Sequence, residues 1–206
     1  MANKPADARS LLAKFLPVYD FDAVYETRVN ASPAEVYEHL LQVDLGKISV
    51  VQWLMTLRTG KRLQPMPASE GLRERMQKAG FILLAQVPAD ELVFGVAGRF
   101  WHLDGGRCVG LSRQDFVQFA EPGYAKAVWN FKLRNDPQGG TALSTETRVK
   151  CFADSLWKFY FYWTAIAPFS GLIRKAMLKQ IKRDTESSVA PSRHQQASRA
   201  DGIHHS

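Results

Sequence analysis

The chain has 206 residues, 46% of them hydrophobic, and a formal charge of +7, which suits one domain with a sizeable core plus tails. Two separated cysteines, Cys108 and Cys151, and five scattered histidines offer neither a disulfide framework nor a metal-ligand spacing, so no stapled scaffold and no metal centre is expected. The first residues lack the basic-then-apolar pattern of a signal peptide. The richest apolar run, 156–169, is broken by Lys158 and Pro168 short of the roughly 18–20 residues a membrane span needs, so a cytoplasmic chain is expected.

Residues 8–18 carry Leu11, Leu12, Phe15 and Leu16 at helical spacing, ended by Pro17. This amphipathic segment either packs on the domain or touches a membrane surface, and its shortness favours packing. Residues 21–29 alternate Phe21, Ala23, Tyr25, Thr27 and Val29 against Asp22, Glu26 and Arg28, the pattern of a half-buried strand. Ser32-Pro33-Ala34-Glu35 then supplies an N-cap, a proline at the first helical position and a capping-box acid, so a helix follows to about Val43. The apolar stretch 46–59 is expected to be helical, 60–70 a loop, and 70–78 a short helix stopped at Gly80.

Strand-like segments then follow one another. They cover 81–87, 91–101, 113–120, 124–133 and 141–151, punctuated by Pro88-Ala89-Asp90, Asp104-Gly105-Gly106, Glu121-Pro122-Gly123 and Asn135-Asp136-Pro137. Short turns between successive strands predict an antiparallel meander. A long helix capped by Asp154 or Ser155 is expected from Leu156 to about Thr185, with Pro168 kinking or interrupting it. A meander with one apolar face needs a cover, and this helix is the long apolar element left to supply it.

The expected fold is therefore α+β, a helix-grip: a curved antiparallel sheet around a long C-terminal helix kinked near Pro168. Its divisions are an N-terminal amphipathic segment over 1–19, the domain over 20–185, and a disordered polar tail over 186–206.

Several segments also resemble a family: Gly98-Arg99-Phe100-Trp101, Phe116-Val117-Gln118-Phe119, 143–149, and Tyr162-Trp163 through Arg174. They are similar to uncharacterised bacterial members of the SRPBCC superfamily, which includes START-like lipid-transfer proteins, polyketide cyclases and plant allergen-like carriers. The resemblance spans roughly 20–183 and implies a hydrophobic cavity between the sheet and the last helix. It implies no particular reaction.

The aromatic run Trp157, Phe159, Tyr160, Phe161, Tyr162, Trp163 surrounds its helix, so some rings fill the core and others, Tyr160 and Trp163 among them, are candidates to line a pocket. Trp129 and Phe131, on the apolar face of their strand, would form the opposite wall. Thr145 and Thr147 share the inward face, where they satisfy each other or a ligand's polar atom. Arg99, Trp101 and His102 lie at one strand's end, placed either to orient a ligand oxygen or to make ordinary surface pairs. Glu146 and Arg148 are assigned to the outer face as a cross-strand ion pair.

No Ser-His-Asp, Cys-His or paired-carboxylate arrangement emerges, and no catalytic residue is assigned. Gly95, Gly98, Gly105, Gly106 and Gly110 form no phosphate-binding pattern, so no cofactor is expected. The basic stretch 174–183 shares its helix with an apolar face and belongs to no reading module, so no nucleic-acid partner is expected. The reading that results is binding or transport of a small hydrophobic ligand, whether lipid, quinone, sterol-like or polyketide-like. The alternatives are a cyclase or dehydratase on the same fold, and a lipid chaperone in peripheral membrane contact.

Overall fold

The computed structural model describes residues 10–44, 70–102 and 111–201, with side chains described as far as Val189. The expected helix over 46–59, the loop that follows it, the turn at 104–106 and Cys108 lie outside the described residues. The elements are α1 (Leu12–Phe15), β1 (Phe21–Val29), α2 (Pro33–Gln42), α3 (Leu72–Lys78), β2 (Ile82–Val87), β3 (Glu91–Gly98), α4 (Arg113–Gln118), β4 (Ala125–Asn135), β5 (Thr141–Cys151) and α5 (Ser155–Asp201).

The five strands form one antiparallel sheet in the order β1-β5-β4-β3-β2. Hairpins join β2 to β3 and β4 to β5, while β3 meets β4 across residues 99–124, which carry α4; Phe94 faces Trp129 and Trp129 faces Thr147. β1 closes the other edge, Phe21 against Val149. With α5 laid across the concave side, this is the helix-grip arrangement. No helix among the described residues is long and apolar enough to cross a membrane.

Period-two alternation fixes the two faces of the sheet. Inward go Val29, Leu92, Phe94, Phe131, Leu133 and Leu143, which meet Met177, Leu178 and Ile181 of α5 and Val36 and Leu40 of α2 in the main core. The expected capping box holds: Glu35 N–H donates to Ser32 Oγ and Ser32 N–H donates to Glu35 Oε2. Outward go Val93 and Val128, which with Leu84 bury Leu12 and Phe15 of α1, Leu16 just after it, and Phe116 of α4. Leu11, Leu12, Phe15 and Leu16 thus pack on the domain itself. Glu91 holds it in place, accepting from Ser10 Oγ at 2.8 Å and from Leu11 N–H at 3.0 Å.

Three expectations are corrected. Residues 113–118 are a helix, not a strand, because Ser112 and Asp115 form a capping box and only Phe116 of that helix is buried. Phe116 presses on the sheet where a Cβ at Gly95 would stand 2.8 Å from its Cζ, so the contact requires a glycine beneath it. The strand expected to reach Trp101 ends at Gly98, since Arg99–His102 turns back with His102 N–H donating to the Arg99 carbonyl. Of the two outcomes expected at Pro168, a kink or an interruption, the helix is not interrupted there. Proline removes the donor that the Thr164 carbonyl would use, but both residues face solvent, so water can serve that carbonyl. The helix also continues beyond Thr185 into the stretch expected to be disordered: Glu186 accepts from Asn30 N–H, Ser188 bonds His39, and Val189 packs on the core.

Candidate functional site

The first half of α5 does not seat fully on the sheet. Phe159, Tyr162, Trp163, Ile166, Ser170 and Arg174 recur at three- and four-residue intervals and so share the face turned to the strands. Opposite them stand Val96 of β3, Ala127 and Trp129 of β4, and Thr147 and Val149 of β5, with Phe81 and Phe100 at the sides. Small residues at Ala127 and Val149 leave space that the neighbouring rings do not fill. The result is a cavity of about 200 Å³.

The walls are aromatic and mutually braced. Phe159 is buried and packs on Phe21 at 4.9 Å and on Trp163 at 5.7 Å between ring centroids. Trp129 packs on Phe131 at 4.9 Å and donates its indole N–H to Thr145 Oγ1 at 2.6 Å. Such interlocking fixes the shape of an apolar pocket before any ligand arrives.

One end of the cavity is polar. Arg174 Nη2 donates to Thr147 Oγ1 at 2.7 Å and Nη1 to Ser170 Oγ at 2.5 Å. Burial disfavours the charged form of this guanidinium and lowers its pKa, while the nearby Tyr25 hydroxyl acts the other way. Tyr25 reaches the site because α5 carries Gly171 there; a Cβ at that position would fall 2.5 Å from the Tyr25 oxygen.

Of the residues expected from sequence, Trp129, Thr147 and Trp163 line this cavity. Phe131 is wholly buried in the main core beside it. Thr145 is also buried, its hydroxyl donating to the Asn130 carbonyl while accepting from Trp129. Tyr160 points away and is 45% exposed, as are Trp157 at 69% and Phe161 at 70%. Trp101 packs edge-on against Phe159 from outside the lining, and His102 lies beside it, exposed. Arg99 stacks over the Tyr124 ring at 4.4 Å. Those three do not converge with Trp129 and Thr147.

Sequence reasoning missed Arg174, Ser170 and Phe159. A signal for the first two exists, a four-residue spacing on the helix face that also carries Tyr162 and Ile166. Arg174 opens the basic stretch 174–183, whose run of charge draws attention to an anionic partner and away from the apolar face it shares. Glu146 and Arg148 do lie on the outer face, as expected, but they are neighbours on one strand and not a cross-strand pair. Arg148 Nε donates to Glu146 Oε1 at 2.6 Å, and the arginine is fully buried. Among the described residues no group of three His, Cys, Asp or Glu is placed to hold a metal ion.

No family model matches the chain, and no curated protein does. Solved structures with similar shape include a conserved protein from Geobacillus kaustophilus, at 12% identity over 82% of this chain and 97% of that one, with a TM-score of 0.42. A protein of unknown function from Staphylococcus aureus matches at 16% identity over 81% and 96%, with a TM-score of 0.39. The di-domain ARO/CYC BexL from the BE-7585A biosynthetic pathway matches at 14% identity over 78% of this chain and 50% of that one, with a TM-score of 0.31. At TM-scores below 0.5 these likenesses leave the reading of the site to its own geometry.

Proposed function

We propose that the protein binds and carries a small hydrophobic molecule in the cavity between α5 and the sheet. The observation that carries this reading is the cavity itself, about 200 Å³ of space walled by Phe81, Trp129, Phe159 and Trp163. An engineered protein cavity of ~150 Å³ lined by aliphatic and aromatic side chains takes up benzene, so the space here suits one ring or a short acyl chain. The resemblance to SRPBCC proteins points the same way.

Burying about 150 Å² of an aromatic ring at ~25 cal/mol per Å² gives about 4 kcal/mol, a dissociation constant on the order of millimolar. Indole is a suitable probe at that strength. Its titration is expected to shift the side-chain N–H resonances of Trp129 and Trp163, and Ala127→Phe, which fills the space, is expected to abolish the shift. Unmoved resonances, or uptake that persists in a folded Ala127→Phe protein, would refute the proposal.

A further inference from the structure

Arg174 is half-buried, and the buried basic side chains elsewhere among the described residues differ from it in what they face. Arg75 reaches Asp44 Oδ1 at 2.7 Å and the Val43 carbonyl. Arg148 has Glu146, and Lys132 lies 3.7 Å from Glu91 Oε2. Lys126 donates to the Phe116 and Val117 carbonyls at the end of α4. Among the described residues no carboxylate lies within ion-pair distance of Arg174, which donates only to two neutral hydroxyls.

Those hydroxyls carry a second signal. A hydroxyl has one proton to donate as well as lone pairs to accept with. The hydroxyls of Thr141, Thr145, Thr164, Ser155 and Thr185 each donate to a backbone carbonyl. Thr147 and Ser170 accept from Arg174, and among the described residues neither donates to any acceptor. A fixed cation and two uncommitted O–H donors therefore converge at the polar end of an otherwise apolar cavity. A planar guanidinium matches a carboxylate in shape as well as charge, and charge-assisted bonds of this kind are roughly twice as strong as neutral ones.

We infer that the cavity selects a small carboxylic acid in its ionised form, an aryl- or short alkyl-carboxylate, with Arg174 as the headgroup anchor and Thr147 and Ser170 as supporting donors. This rests on the binding function proposed above. The apolar body lies among Trp129, Phe159 and Trp163, and the carboxylate meets Arg174.

The test uses the full-length protein with 3-phenylpropanoate and its uncharged counterpart, 3-phenylpropan-1-ol, titrated at pH 7 by calorimetry or NMR. The acid is expected to bind about tenfold more tightly than the alcohol, one charge-assisted bond's advantage over a neutral one. Arg174→Gln is expected to remove that preference, and Arg174→Lys to keep part of it. Should Arg174→Gln fail to fold, the wild-type protein titrated at a pH low enough to protonate the acid serves instead, and the two probes then bind alike. Equal binding of both probes to the wild type at pH 7 overturns the inference and leaves the cavity reading standing. So does an acid preference that survives in a folded Arg174→Gln variant. Binding of neither probe overturns both.

Discussion

The two faces of the sheet bury charge in opposite ways. On the outer face, under α1 and α4, Glu91 is almost wholly buried yet accepts from Ser10, Leu11 and Asn130, with Lys132 opposite it in register. Arg148 is equally buried, paired with Glu146 and stacked over the Tyr19 ring at 4.9 Å, although its Nη1 and Nη2 find no hydrogen-bond partner. On the inner face the cation beside open space, Arg174, meets only hydroxyls among the described residues. Taking a charge from water costs several kcal/mol unless an opposite charge or strong acceptors repay it. Charge on the outer face is compensated largely within the fold. The inner face leaves compensation to what enters.

That contrast breaks most visibly at Glu91. Glu91→Ala leaves Lys132 without its opposed carboxylate and releases the Ser10–Leu11 anchor, so a loss of about 3 kcal/mol is expected in urea unfolding. The N-terminal segment is expected to become susceptible to limited proteolysis. A loss below about 1 kcal/mol with the segment still protected would mean that apolar contacts alone hold the outer layer.

A paired substitution sharpens the comparison. Arg148→Met strands Glu146, which keeps some contact with solvent, and is expected to cost about 2 kcal/mol. Arg174→Met removes a cation that has no carboxylate and is expected to stay within about 1 kcal/mol of wild type. Equal losses in the two variants would show that the faces do not differ as described.

The smallest effect belongs to Cys151, at the margin of the aromatic cluster around Phe159. Burial, aided by Asp20, pushes its thiol up to about 12 from 9.0. The folded chain therefore keeps a proton that the unfolded chain releases, so this residue's contribution is intact below about pH 9 and declines as the pH rises toward 12. In a Cys108→Ser background, Cys151 is expected to resist a thiol reagent at pH 8 until the protein unfolds, and Cys151→Ala to flatten the alkaline decline. Rapid labelling of the folded protein would place the thiol in an open site.

Much of the architecture was legible because its signals are local. Alternation over 21–29 and 141–151 fixes which side chains face inward, and Ser32 with Glu35 fixes where α2 begins. The error at 113–118 arose from reading Phe116 and Phe119 as part of a strand although Ser112 and Asp115 make the same cap as Ser32 and Glu35, with a shorter acid. The cavity was legible only in part. Its walls come from separate strands and one helix face, and no local pattern says how far α5 stands off the sheet. The ring of aromatics at 157–163 fits every orientation of that helix, so Phe159 and Trp163 could not be told from Trp157 and Phe161 without the packing.

The strand order has a consequence for how this chain comes to be folded. β1 has no partner but β5, and Phe21 must wait for Val149, well over a hundred residues downstream. The β2–β3 and β4–β5 hairpins join neighbours in sequence and can close early, at little loop entropy, and β3 then meets β4 across residues 99–124. During synthesis the first strand made is therefore the last one placed. Until β5 emerges, the inward residues Tyr25, Thr27 and Val29 have no sheet to join, and the edge of the half-built sheet stays open to other chains.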